Sequence, residues 1–193
     1  MVMTWKRIKH FLHEDNSIWS WLANILLAFL LIRFIIYPVL GLIMGTPFPV
    51  VAVVSGSMEH DGAFDTWWQS SCGPFTQADL YASLDIQQQQ FQFFRFRNGF
   101  DAGDVIVLTG VRPENVKVGD VLVYWTSRPE PIIHRVISVN EGSYTFKGDH
   151  NCGSNPDEVA VTPDRIIGRA WMRLPYLGYV KLMAMKLVAW VAG

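Results

Sequence analysis

Cysteine and charge are both scarce in this sequence. Its two cysteines, Cys72 and Cys152, allow at most one internal disulfide, which excludes a disulfide scaffold and a four-cysteine zinc site. Only 17% of the residues are Asp, Glu, Lys or Arg, against about one quarter in ordinary soluble domains. Basic residues are not in excess either. The 16 Lys and Arg face 17 Asp and Glu, for a formal net charge of -1, so a strongly basic nucleic-acid binder is excluded. Between Lys9 and Arg95 the only basic residue of that kind is Arg33. What is abundant is apolar: half of the 193 residues. Such a chain cannot be disordered throughout, and its length fits one domain, or one domain plus an anchor.

The anchor is legible at residues 18–45, IWSWLANILLAFLLIRFIIYPVLGLIMG. About 20 helical residues cross the hydrocarbon core of a bilayer. The span is placed at 18–37, where Pro38 can end or kink the helix. Trp19, Trp21 and Tyr37 suit the two interfaces, and Arg33 can snorkel towards the far headgroups. Lys6, Arg7 and Lys9 precede the span, so the N-terminus (1–17) is expected in the cytoplasm and the rest outside. The apolar run is too long for a cleaved signal peptide and is read as a retained anchor. Both cysteines then face a compartment that permits a disulfide. They are expected either to pair or to sit as small buried residues.

Beyond the anchor the pattern is mainly β. Short runs rich in Val, Ile, Tyr and Trp fall at 50–54, 104–109, 120–125, 132–139, 143–146 and 165–172, separated by turn residues. That spacing predicts an antiparallel β domain over 46–173. Residues 61–100 interrupt it with Trp67-Trp68, a run of four Gln at 87–90, and Phe91-Gln92-Phe93-Phe94. They read as an insertion carrying a short helix over 78–90. Its aromatics would lie on the membrane surface or pack as a lid on the β core. At the C-terminus, 174–193 is apolar except for Lys181 and Lys186. Two lysines cost too much inside a span, so this stretch is expected to lie in the interface.

Chemistry centres on Ser57, in Ser55-Gly56-Ser57-Met58. A serine needs a base to become a nucleophile. His134, flanked by apolar strand residues, is the candidate base, since a partly desolvated imidazole stays neutral and able to accept a proton. The base in turn needs an orienting carboxylate, and Asp149 and Asp157 lie downstream. Ser57 N–H and the Ser55 hydroxyl are the candidate oxyanion donors. His60 and Lys147 are rival bases. His150, Cys152, Asp149 and Asp157 match no metal-site spacing, and no cofactor is expected.

Five segments resemble type I signal peptidases of the archaeal and endoplasmic-reticulum kind. They are Val53-Val54-Ser55-Gly56-Ser57-Met58-Glu59, Val118-Gly119-Asp120-Val121-Leu122-Val123-Tyr124, Pro131-Ile132-Ile133-His134-Arg135-Val136-Ile137, Phe146-Lys147-Gly148-Asp149 and Val161-Thr162-Pro163-Asp164-Arg165-Ile166-Ile167-Gly168-Arg169-Ala170. The resemblance implies a membrane serine endopeptidase that removes signal peptides from exported preproteins after small residues. On it, Ser57 matches the nucleophile, His134 stands where bacterial relatives carry a lysine, and Ser55 matches the oxyanion position. Asp149 matches the Gly-Asp of the family and Asp157 its second acidic position, the preferred partner of His134. The implied partners are signal peptides and the bilayer, with accessory subunits left open. The self-contained chain leans towards an archaeal cell membrane, or the reticulum membrane if eukaryotic. His60 departs from the usual proline, and the insertion exceeds the expected link. The competing expectation is a membrane-anchored β module without catalysis that binds exported segments or a partner subunit.

Overall fold

The computed structural model describes residues 5–15 and 17–179. Most of the expected C-terminal interfacial helix, residues 180–193, lies outside the described residues. The chain separates into two units, Met1–Ile43 and Met44–Gly193.

In the first unit, α1 (Trp5–His13) leads into α2 (Ile18–Leu31). The Ser17 hydroxyl caps α2 by accepting from the Ser20 N–H. Ser20 Oγ donates to the Phe11 carbonyl at 2.6 Å and Asn24 Nδ2 to the Leu12 carbonyl at 2.8 Å. These bonds satisfy carbonyls that the end of α1 leaves without helical donors. The sequence reading ended the helix at Tyr37. It instead continues through a π-helical turn (Ile32–Ile36) into α3 (Tyr37–Met44). Pro38 has no N–H and its ring crowds the carbonyl four residues back. Widening the helix just before it, with Tyr37 N–H donating to the Ile32 carbonyl, absorbs the clash without a break. The result is a 27-residue helical run, Ile18–Met44, with mean hydropathy 2.5, long and apolar enough to cross a membrane.

The second unit is built on one six-stranded antiparallel sheet. In chain order it comprises β1 (Val50–Ala52), the insertion, β4 (Val105–Thr109), β5 (Val121–Tyr124), β6 (Ile132–Asn140), β7 (Ser143–Lys147) and β8 (Ile166–Leu174). The insertion carries α4 (Phe64–Trp68), a small hairpin of β2 (Ser71–Cys72) and β3 (Phe75–Thr76), then α5 (Gln77–Ala82) and α6 (Gln88–Phe91). Strand order in the main sheet is β1-β4-β8-β5-β6-β7. Each strand lies within two residues of its expected position. β5 shows why the sheet holds together. Val121 and Val123 enter one core with Val53, Met58, Phe100 and Ile106, while Leu122 and Tyr124 enter another with Val136, Tyr144 and Phe146. Alternate side chains face opposite ways, so this strand is buried on both faces and reads as a continuous apolar run.

The insertion forms a third core. Trp67, Trp68, Tyr81, Ile86 and Phe91 pack together and against Ile137 of β6. Ile137 sits where the β6–β7 register slips between Val136 and Ser138, a bulge that re-aims its side chain. These rings thus pack on the β domain, the second of the two expectations, while Phe93 remains 90% exposed. The expected helix over 78–90 is two helices. Asp85 takes a left-handed conformation (φ 59°) after α5, and Ile86 N–H returns to the Tyr81 carbonyl at 2.9 Å. This is a helix-ending motif that usually carries glycine, so the aspartate conceals it.

Where the insertion rejoins the sheet, Phe100 N–H donates to the Met58 carbonyl at 3.1 Å. The preceding Gly99 has φ +64°, and a Cβ there would lie 2.2 Å from that carbonyl oxygen. Gly99→Ala is therefore expected to lower the stability of the detergent-solubilised chain by at least about 2 kcal/mol. Urea unfolding followed by tryptophan fluorescence measures this, and an unchanged midpoint contradicts the packing.

Candidate active site

Ser57 follows β1 in a turn closed by Glu59 N–H donating to the Gly56 carbonyl at 3.0 Å. The next residue, Met58, is fully buried in the core. The Ser57 carbonyl accepts from His150 N–H at 2.9 Å. The serine backbone is thus held from two sides, and its side chain opens on a cleft.

His134 lies on β6, opposite Leu122 of β5. Its Nε2 is 2.8 Å from Ser57 Oγ. Ser55 Oγ stands 3.2 Å from the same oxygen. On the far side of the ring, Nδ1 is 2.7 Å from Glu158 Oε1, although the approach is angled away from the ring N–H and is not a linear hydrogen bond. A carboxylate there favours a proton on Nδ1 and leaves Nε2 to accept the serine proton. His134 and Glu158 are both buried. Burial pushes the Glu158 carboxyl up, but the contact and charge of His134 and the bond from Asn155 N–H outweigh it, and its pKa is lowered. Glu158 is therefore ionised and can stabilise a charged imidazole.

Neither predicted aspartate occupies that position. Asp157 pairs with Arg128, Nε to Oδ2, at 3.3 Å. Asp149 is fully buried on the other side of β6. It accepts from Arg135 Nε at 2.8 Å and Nη2 at 2.6 Å, from Tyr81 Oη at 3.0 Å, and meets His60 Nε2 at 3.0 Å. His134 and Arg135 are neighbours on one strand and face opposite ways. The carboxylate that serves Arg135 is accordingly engaged on the opposite face of the strand from the imidazole. Burial raises the Asp149 carboxyl, yet the Arg135 charge and the donated bonds hold it well below the usual range. His60 stacks on Trp67, with ring centroids 3.6 Å apart, and its Nε2 meets that aspartate. It is committed to this cluster. Glu158 escaped the sequence reading. The signal for it was Asn155-Pro156-Asp157-Glu158, an N-cap pattern in which the fourth residue folds back. In the structure Asn155 N–H indeed donates to Glu158 Oε2 at 2.8 Å.

The cleft has a volume of about 810 Å³. One wall is Ala52 to Ser55, another Arg128 to His134, and a third Asn151 to Asn155. A contiguous apolar groove of about 440 Å³ shares Ala52, Val54, Glu130, Pro131 and Ile133 with it. Cys152 is in the third wall and is disulfide-bonded to Cys72, with Cα atoms 5.2 Å apart. Among the described residues, no three His, Cys, Asp or Glu side chains gather closely enough to hold a metal ion.

A serine hydroxyl on an imidazole backed by a carboxylate, opening on a cleft, is the arrangement found in serine hydrolases. The chain is, more particularly, similar in sequence to signal peptidase complex catalytic subunits. It is 33% identical over 98 residues to the SEC11C subunit of Homo sapiens, covering 44% of this chain and 50% of that protein. The match thus spans about half the length of that relative. It is 26% identical over 175 residues to SEC11 of Colletotrichum graminicola, covering 83% of this chain and 80% of that one. With SEC11 of Scheffersomyces stipitis it shares 26% over 164 residues, 78% and 74% of the two chains. No family model matches the chain.

Lys147, weighed above as a rival base at a strand end, is buried. Its Nζ donates to Gln77 Oε1 at 2.8 Å and to the Gly148 and Asp149 carbonyls at 3.2 and 3.3 Å. Burial lowers its pKa to about 8, against a smaller upward pull from Asp149. An unfolded lysine keeps its proton to about pH 10.4. Between these values the unfolded chain binds more protons, so stability rises with pH. Wild type is expected to gain about 2–3 kcal/mol between pH 8 and 10.5 relative to Lys147→Met. Urea midpoints of both proteins at the two pH values check this, and parallel curves contradict it.

Proposed function

We propose that this chain is a membrane-bound serine endopeptidase that removes signal peptides from exported preproteins after small residues. The observation that carries the reading is the contact series from Ser57 through His134 to Glu158 at the mouth of a cleft. Ser57 gives its proton to His134 Nε2 as Oγ attacks the scissile carbonyl carbon. Glu158 stabilises the imidazolium by charge. Ser57 N–H and the Ser55 hydroxyl receive the oxyanion. The imidazolium then protonates the leaving amine, the C–N bond breaks, and an acyl-enzyme remains. Water, deprotonated by the same imidazole, hydrolyses it. No step calls on a cofactor.

The substrate adds as an extended strand. Among the described residues, β1 pairs with β4 at the edge of the sheet, and Ile132–Ile133 at the start of β6 pair with β5. Both line the cleft, so a peptide lying there has main-chain groups to bond on either side. The small-residue rule follows from the resemblance to signal peptidases. Lys6, Arg7 and Lys9 ahead of the apolar helix hold the N-terminus in the cytoplasm and put the β domain outside. The Cys72–Cys152 disulfide supports that side, since such bonds persist in oxidising compartments.

The test is cleavage of a preprotein with a small-x-small site, in detergent. Ser57→Ala and His134→Ala are each expected to lower kcat by about 10³–10⁴ or more. Glu158→Gln loses about 10²–10⁴, while Asp157→Asn stays within about threefold, because its partner is Arg128. A His134→Ala protein that cleaves at the wild-type rate sinks the mechanism.

A further inference from the structure

The insertion contributes no residue to the wall of the cleft, yet it holds one of those walls. Gln77, the first residue of α5, is 1% exposed. Its Oε1 accepts from Lys147 Nζ. Its Nε2 lies 3.4 Å from the His150 carbonyl and 3.3 Å from the Asn151 carbonyl. The next residue, Cys152, is bonded to Cys72. Three successive residues of the active-site loop are thus fastened to the insertion, the last covalently. The same loop donates His150 N–H to the Ser57 carbonyl. It also approaches the reacting groups at Gly148, where a Cβ would lie 2.6 Å from the Ser57 carbonyl oxygen, 2.7 Å from Asn151 Nδ2 and 2.9 Å from His134 Nε2. Besides the bonds that Ser57 and Glu158 make to this loop, Ser57, His134 and Glu158 are supported in the turn after β1, in β6 and in the turn Pro156–Glu158.

We infer that Gln77 is a positioning residue that acts, together with the Cys72–Cys152 bond, through the loop 150–155, so that substrate binding depends on the insertion and on the redox state of that bond. The inference rests on the peptidase reading above. Gln77 suits the task because one carboxamide both accepts from Lys147 and donates to loop carbonyls. Cys152 is exposed and Cys72 buried. A dithiol reductant therefore attacks Cys152 Sγ as thiolate, forming a mixed disulfide and releasing the Cys72 thiolate, which takes a proton. The reductant's second thiol then displaces Cys152 as thiolate and leaves as a cyclic disulfide. Two electrons pass to the protein and two thiols are left. Among the described residues, the loop then keeps as ties to the insertion the two Gln77 bonds and an exposed contact of His150 Nδ1 with Asp61 Oδ2 at 3.6 Å.

The experiment uses the full chain in detergent, oxidised or treated with dithiothreitol. It compares wild type, Gln77→Ala, Gln77→Glu and the double variant Cys72→Ser/Cys152→Ser. KM and kcat are read on a signal-peptide substrate, and the rate of Ser57 labelling is read with a small fluorophosphonate, which does not need the cleft wall. Reduction of wild type is expected to raise KM about tenfold while kcat and labelling stay within about threefold. The double variant should match reduced wild type and no longer respond to dithiothreitol. Gln77→Ala should raise KM similarly, and Gln77→Glu with it, because glutamate keeps the acceptor for Lys147 but loses the donors to the loop. KM unchanged by reduction and by both Gln77 variants overturns the inference alone. A fall in labelling parallel to the loss of cleavage also overturns it, since the insertion would then support the whole site. Absence of cleavage by oxidised wild type overturns the peptidase reading, and this inference with it.

Discussion

The buried carboxylate of Asp149 is the joint on which the β domain turns. A charge in that position is tolerable only if it is neutralised and every lone pair finds a donor. Arg135 supplies a two-pronged ion pair, Tyr81 a hydroxyl and His60 a ring nitrogen. Each donor comes from a different part of the chain: the middle of β6, the insertion, and the segment just past Ser57. Arg135 spends its remaining N–H groups on the carbonyls of Arg95, Phe96 and Gly119, and its guanidinium lies 4.6 Å over Phe91. Strand, insertion and loop converge on one ion pair. Taking away either charge leaves the other uncompensated, at a cost of about 3–5 kcal/mol.

This joint has a chemical consequence one residue away. Arg135 faces the insertion, so His134, its neighbour on the strand, must face the cleft. Asp149 is occupied on the wrong side of the sheet to orient an imidazole. The chain then travels through the disulfide-fastened loop and a single helical turn before Glu158 arrives behind the ring. Glutamate has a longer reach than aspartate, and its cap bond from Asn155 N–H fixes the free oxygen. Asp157, one residue earlier in the same tight turn, is turned away towards Arg128. The position of the candidate carboxylate is thus a product of turn geometry.

Much of the architecture was legible beforehand. Strands showed through because β-branched and aromatic residues alternate between turn residues, and the apolar helix showed through because no charge but Arg33 interrupts it. Ser57 and His134 were legible as a candidate pair through their flanks and through the resemblance to signal peptidases. Two features were hidden for local reasons. Pro38 read as a stop, but a π turn let the helix pass it. Asp85 read as helix interior, but it closes α5 in a conformation usually reserved for glycine. Lys147 read as a rival base, because nothing in one dimension shows that Gln77 and Tyr81 will cover it.

By itself the sequence determined which segments are apolar, which are strands, and which residue types are available for acyl-transfer chemistry. Those are properties of nearest neighbours and short periods. The tertiary structure alone decided which carboxylate reaches His134, that Cys72 and Cys152 meet across a sequence separation of 80, and that the insertion packs on β6. Each of these is a contact between distant segments. It is fixed by which buried polar groups must find partners once the chain has closed on itself.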